Sequence, residues 1–367
     1  MTGRRRSISP AQVLAIAAVP LLSLQAWTWG AWLRDGPVQL TRYRDTAVIS
    51  WPVAGALEVL AIVALVVVIA PIVVTCVRER RLTLDARFCI AGALTYFWDP
   101  MSNLMQPLFL YSSQWINLSD WTGNLPFSRY PDGGRLPEAV LFTPAVFVVG
   151  FLLGARIIAL VARTLDERHP HFGRLQRLSV MLLVGGVLDA CVELPIAAAG
   201  LWAFPGLPGP QIGLVRGLCY PTIDLAFGAA VFTGIGLLYT SKNDRGETVF
   251  DRGLGHLSPR RCAAVRLLAP IGAFNLIFVT FAISWATLGL FSGPYPNSLP
   301  AQLVNGACDA GGFQGTRYGP CPGTPGAPIP LPGGLPGSRP AGNDKFLNGP
   351  TQCEGCAAIT QPSAPHR

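Results

Sequence analysis

The chain reads as an all-α polytopic membrane protein: a bundle of about seven transmembrane helices followed by a disordered Pro/Gly-rich C-terminal tail. Three observations predict that class. Of 367 residues, 50% are hydrophobic and only 13% are charged, with a mean hydropathy of +0.41; soluble domains carry about 25% charged residues. Seven stretches reach the roughly 20 mostly apolar residues that a span requires. Basic residues alternate between dense and sparse from one connecting loop to the next.

The seven expected spans are residues 11–33, 52–77, 86–111, 138–162, 178–203, 218–240 and 264–291. The first follows Arg4, Arg5 and Arg6, as the core of a signal peptide would. Its long apolar run carries Trp27, Trp29 and Trp32 and lacks a small-residue cleavage site, so an uncleaved helix is expected. The second carries Glu58 near its outer end. The third contains Asp99 and Asn103, with Pro100 and Pro107 interrupting the helical hydrogen-bond ladder. Such breaks are tolerated in a membrane where the backbone lines a cavity or packs on protein. The fourth is nearly free of charge. The fifth places Asp189 and Glu193 one turn apart on one face. The sixth begins at Tyr220-Pro221 and carries Asp224; the seventh carries Asn275 at mid-depth. Glycines in the fourth and fifth spans, such as Gly150, Gly154, Gly185 and Gly186, read as points of close helix approach.

Orientation follows from the loops. Arg4–Arg6, then Arg78, Arg80, Arg81 and Arg87, then Arg163, Arg168, Arg174 and Arg177, and finally Lys242, Arg245, Arg252, Arg260, Arg261 and Arg266 share one side. The other side has Arg34, Arg42, Arg44, Arg129, Arg135 and Arg216. The positive-inside rule therefore places the N-terminus (1–10) in the cytoplasm and the tail (292–367) outside the cell membrane, flanking the helical domain (11–291). The outer loop 112–137, with Trp115, Asn117, Trp121 and Tyr130, is long enough to fold over the bundle, and its aromatics fit an interfacial belt. The tail cannot bury a core. Its Cys308, Cys321, Cys353 and Cys356 suit disulfides in an oxidising compartment. Cys76, Cys89, Cys191, Cys219 and Cys262 read as small buried hydrophobes.

The net charge of +8 is a topology signal, and no interleaving of basic and aromatic residues marks a nucleic-acid surface. No cofactor or metal site is assigned. The spans hold no histidine, the seventh has no lysine for a Schiff base, and no phosphate-binding glycine loop or nucleophile elbow occurs. The partner expected from composition is the lipid bilayer.

The intramembrane acids carry the functional argument. An acid at a helix centre costs roughly 2.5–3.5 kcal/mol on insertion scales, and no basic side chain lies deep in the same spans. Asp99, Asp189, Glu193 and Asp224 fall in the outer half, so the third, fifth and sixth spans are expected to converge on one polar pocket. Glu58 reads as structural. Burial and like charge raise carboxyl pKa values. One acid can then donate a proton while another stays ionised and stabilises a cation, as paired carboxylates do in glycosidases. Three functions fit: an acid–base cyclase or dehydratase, a cation-mediated isoprenoid or lipid cyclase with Tyr96, Phe97, Trp98, Phe109 and Trp202 as its aromatic wall, and a proton-coupled transporter or export accessory.

The ordered set Phe97-Trp98-Asp99-Pro100-Met101-Ser102-Asn103, Tyr111, Asn117, Trp121, then Asp189-x-x-x-Glu193, Phe204-Pro205-Gly206 and Tyr220-Pro221 resembles the AveC-like spirocyclase family over roughly residues 50–295. That resemblance implies an integral-membrane enzyme that closes a dihydroxy-ketone polyketide into a spiroketal, in some members with dehydration. It implies Asp99 and Asn103 as site members, then Asp189 and Glu193, and an apolar polyketide or lipid-like small molecule as partner; Asp224 joins the catalytic candidates from its depth in the sixth span. The expected substrate pocket comprises Tyr96, Trp98, Tyr111, Asn117, Trp121, Tyr220 and Asn275.

Overall fold

The computed structural model describes residues 8–37, 51–104, 108–126, 136–204, 209–214, 219–289 and Leu303. Outside them lie Arg4–Arg6, Arg42, Arg44, Pro107, Arg129, Tyr130, Arg135, Pro205, Gly206, Arg216 and the tail with its four cysteines, Leu303 excepted.

The described residues are mostly helical, with seven α-helices, six of them long and apolar enough to cross a membrane. They are α1 (Pro10–Asp35), α2 (Trp51–Glu79), α4 (Phe142–Arg168), α5 (Arg174–Ala198), α6 (Thr222–Thr240) and α7 (Pro259–Gly289), with a shorter α3 (Leu84–Thr95). Ser9 starts α1 through a capping box with Gln12, and Pro10 occupies the first helical position. The flank of α2 is apolar and exposed: Val59, Val66, Val67 and Val77 are each more than half accessible. An uncovered valine face of this kind is what a hydrocarbon solvent accommodates.

The third expected span departs from a single helix. After α3 the chain tightens into an eight-residue 3₁₀ helix, Tyr96–Asn103. Pro100 is the physical reason: it has no N–H to bond the Tyr96 carbonyl, and its ring clashes with that carbonyl in an α-helix. The change of period matters. At three residues per turn, Asn103 no longer shares a face with Asp99.

Three antiparallel strand pairs cap the bundle: β1 (Leu110–Tyr111) with β4 (Trp202–Ala203), β2 (Asn117–Ser119) with β3 (Pro137–Ala139), and β5 (Gln211–Gly213) with β6 (Cys219–Pro221). Tyr111 faces Trp202 and Leu118 faces Glu138 in register. The described part of the expected outer loop is thus part of the core. Trp115 and Trp121 are at most 1% exposed, so they are not an interfacial belt. Trp115 stacks on Phe142 and donates to the Leu201 carbonyl at 2.9 Å. Glu58 accepts from the Ile116 backbone N–H at 2.6 Å, a structural role that ties α2 to this cap. Cys219 is disulfide-bonded, not a small buried hydrophobe.

At the other end, basic residues of the expected cytoplasmic loops tie helix ends together. Arg87 and Arg266 both reach Asp251, at 3.3 and 3.0 Å, and Arg156 pairs with Asp85. Helices α5 and α6 meet at Gly185, where an added Cβ would lie 2.8 Å from the Ala229 carbonyl oxygen. Gly154 admits Phe232, whereas Gly150 meets only its own helix and marks no helix crossing. Helix α1 packs along α7, with the Leu14 carbonyl seated on Gly272.

Gly272→Ala is expected to push α1 off α7, because the clash is with backbone that cannot rotate away. A loss of about 1–3 kcal/mol, read as earlier thermal aggregation of the detergent-solubilised protein than for Gly30→Ala, where nothing lies within 4 Å, checks this packing.

Candidate functional site

The acids form two clusters, not the single pocket expected. In the first, Asp99 on the 3₁₀ helix accepts a hydrogen bond from the Tyr111 hydroxyl at 2.8 Å, and Thr143 donates to that hydroxyl at 3.0 Å. The Asp99 carboxyl pairs with the carboxyl of Glu138 on β3. Two carboxyls bond only if a proton sits between them, so this pair shares one. Burial pushes the Glu138 carboxyl well above the usual range, and neighbouring Asp99 and Asp120 push it further. Asp120 is raised to about 6 by burial, against hydrogen bonds from the Thr122 side chain and backbone. One of its oxygens takes both Thr122 bonds, at 2.6 and 2.9 Å.

In the second cluster Asp189, Glu193 and Asp224 converge on the hydroxyl of Tyr220, at 3.3, 3.0 and 2.9 Å. One hydroxyl hydrogen cannot serve three carboxylates, so protons on the acids must complete the network. Glu193 and Asp224 also bond carboxyl to carboxyl. Oxygen ligands from the three lie within 4.8 Å of one another, a spacing that would also admit a hard divalent cation. The α5 spacing brings Asp189 and Glu193 together as expected. Gly228 on α6 lets Asp189 approach: a Cβ there would overlap its carboxylate.

Between the clusters lies an aromatic layer. Phe109 contacts Tyr111 and Trp202, with ring centroids 4.7 and 5.7 Å apart, and also Phe204 at 5.1 Å. Phe204 in turn packs edge-on against Tyr220 at 5.1 Å. The Trp202 indole N–H is buried without a hydrogen-bond partner. No lysine, arginine or histidine pairs with either cluster among the described residues.

Other expected site members turn out to be spent on the scaffold. Asn103 clamps the following loop: its Oδ1 accepts from the Leu108 and Phe109 N–H groups and its Nδ2 donates to the Phe109 carbonyl, all at 2.8 Å. Asn275 accepts from Trp98 Nε1 at 2.6 Å and from Gln25, joining the 3₁₀ helix, α1 and α7. Asn117 bonds the Trp115 carbonyl at 3.0 Å, and Trp121 donates to the Phe97 carbonyl at 2.9 Å. Trp98 lines an apolar cavity of about 470 Å³ with Leu21, Leu24, Met101, Val279 and Ala282, and no carboxylate lines it. Tyr96, Tyr111 and Tyr220 do reach the acids. Sequence reasoning passed over Glu138 and Asp120. Glu138 opens an expected span and Asp120 lies in a loop, where acids are ordinarily solvated; the one available signal was their closeness to the Asn117–Trp121 motif.

A helical bundle with buried carboxyl clusters at one capped end is the class that fold and site define. The model of the family described as Spirocyclase AveC-like matches residues 79–306, more than half of the chain. The protein belongs to that family. The match starts after most of α2, so α1 lies outside it. Neither the curated proteins nor the solved structures compared with the chain gave a match.

Asp120→Asn is expected to stabilise the protein. With the folded value raised to about 6 from 3.8, Asp120 favours folding below pH 4 and loses that contribution as pH rises through 6. Asparagine carries no such dependence. Melting of the variant should therefore exceed wild type by a margin that grows between pH 4 and 6 and then levels, worth about 3 kcal/mol at most.

Proposed function

We propose that this protein is a membrane-embedded acid–base cyclase that closes a dihydroxy-ketone polyketide into a spiroketal through an oxocarbenium ion. Family membership supports a role of the polyketide cyclase or dehydratase kind. The observation that carries the reaction type is the pair of proton-sharing carboxyl clusters, each capped by a tyrosine hydroxyl, on the two sides of an aromatic layer.

The chemistry balances without a redox partner. One substrate hydroxyl adds to the ketone to give a hemiketal. A carboxylic acid gives its proton to the hemiketal hydroxyl, the carbon–oxygen bond breaks, and water leaves with the electron pair. A carboxylate and the faces of Phe109 and Trp202 stabilise the cation. The second hydroxyl oxygen attacks the cationic carbon, and its proton returns to the carboxylate. The net loss is one water. The pocket wall decides which face is attacked and hence the stereochemistry. This reading puts the clusters at the outer end of the bundle and the N-terminus in the cytoplasm; the disulfide at Cys219 supports it, since disulfides persist on an oxidising side.

Asp99→Asn and Glu193→Gln in proteoliposomes are each expected to slow cyclisation of an apolar dihydroxy-ketone by about 10²–10⁴-fold. Wild-type rates in both variants would refute the reading. A product that is a cyclised isoprenoid, formed while dihydroxy-ketones stay inert, would move the same acids to a different cationic cyclisation. Gly228→Ala, which displaces the Asp189 carboxylate, is expected to lower turnover with Asp189→Asn, whereas Gly213→Ala, in open space, is expected to leave it unchanged.

A further inference from the structure

The end of the bundle beside Asp99 holds more polar groups than the reaction above employs. Strand β3 is buried along its length, and Glu138 on it is only 2% exposed. Three buried polar atoms here make no well-formed hydrogen bond: Glu138 Oε1, Asp120 Oδ2 and the Tyr96 hydroxyl. Their residues are 2%, 1% and 8% exposed. The Tyr96 hydroxyl lies within hydrogen-bonding reach of the Glu138 carboxyl and near Asp99 and Asp120, and the Leu136 backbone N–H lies within reach of Asp120, so the niche holds strained contacts that a better-placed group would replace. Buried polar groups are otherwise almost always satisfied, so orphans gathered in one place point to a ligand group.

The chemistry of the orphans selects that group. They offer the Tyr96 hydroxyl as donor, Asp120 Oδ2 as acceptor, and Glu138 Oε1, which accepts while the shared proton faces Asp99 and donates once that proton turns to it. An alcohol hydroxyl both accepts and donates, and so matches the set. A cation would have to displace the proton that Asp99 and Glu138 share. The position of that proton is also set by geometry. Thr143 donates to the Tyr111 oxygen, so the Tyr111 hydrogen goes to Asp99. Asp99 is thereby held as the acceptor, and Glu138, with one oxygen unbonded, is left to carry the proton.

We infer that Glu138 is a catalytic residue, the proton donor paired with Asp99, and that the niche bounded by Tyr96, Glu138 and Asp120 binds a hydroxyl group of the substrate. This rests on the cyclase reading and names the groups that meet the hemiketal hydroxyl. Glu138 gives its proton to that oxygen, water departs, and the attacking hydroxyl returns a proton to the Asp99–Glu138 pair. The titratable groups facing Glu138 are Asp99 and Tyr96 on the 3₁₀ helix, Asp120 after β2 and Tyr111 on β1; none is basic. Activity should therefore be full while Glu138 is protonated and fall as pH rises through its elevated value.

Turnover of an apolar dihydroxy-ketone by the full chain in proteoliposomes, followed against pH, tests this. Glu138→Gln is expected to fall about 100-fold and to lose the alkaline limb of the wild-type profile. Tyr96→Phe and Asp120→Asn are expected to raise KM about tenfold with little change in kcat, as loss of hydroxyl binding requires. A Glu138→Gln rate that falls with the wild-type pH profile unchanged would make Glu138 structural and overturn the assignment. If Glu138→Gln does not elute as a monodisperse protein, Glu138→Asp carries the test: a displaced alkaline limit supports the donor and an unmoved one overturns it. A wild-type protein inert toward the probe refutes the cyclase reading instead. The shared proton is then tested by acid-minus-alkaline infrared difference spectra, where carboxyl bands identical in wild type and Glu138→Gln would overturn it.

Discussion

Pro100 has no amide hydrogen, and its ring leaves no room for the Tyr96 carbonyl in an α-helical position. The chain answers by tightening into a 3₁₀ helix from Tyr96 to Asn103, and much of the capped end follows. Adjacent side chains on so tight a helix leave in different directions. Trp98 enters an apolar cavity and bonds Asn275, while Asp99 turns to Tyr111 and Glu138. Asn103, at the end of the turn, is left to hold the loop that delivers Phe109 and Tyr111. A continuous α-helix would have stacked Asp99 and Asn103 on one face and left β1 without its anchor.

The second constraint is the cost of burying acids where water cannot reach them. Among the described residues neither cluster recruits a basic side chain. Each combines carboxyl–carboxyl pairing with a tyrosine hydroxyl in place of a buried ion pair. Phe109, Trp202 and Phe204 separate the two groups, so each keeps its own proton inventory. Acids that keep a proton without a permanent counter-cation suit chemistry in which positive charge appears only transiently.

Helix α1 lies outside the family match, yet it is bound closely to the rest. It seats the Leu14 carbonyl on Gly272 and sends Gln25 to Asn275. Through Asn275 it reaches Trp98, the neighbour of Asp99. The helix therefore buttresses the segment that carries the candidate acid.

Much of the fold could be read along the chain, because hydrophobic length and loop charge are local properties. Six of the spans, the Asp189–Glu193 face and the close helix approaches at Gly154 and Gly185 follow from hydrophobic length and residue spacing. A proline in the third span announces a break. What form the break takes, and that Asn103 consequently serves the backbone, depends on which carbonyls the loop brings near. The division of the acids into two clusters was decided in three dimensions, since it depends on where Phe109, Trp202 and Phe204 pack. So was the placement of Glu138. In the sequence it is an ordinary acid at the edge of a loop, and only the pairing of β2 with β3 takes it out of water and sets it against Asp99. Sequence alone determined that this chain is a helical bundle with acids to bury; tertiary structure decided which acids share protons, because sharing requires contact between segments far apart in the chain.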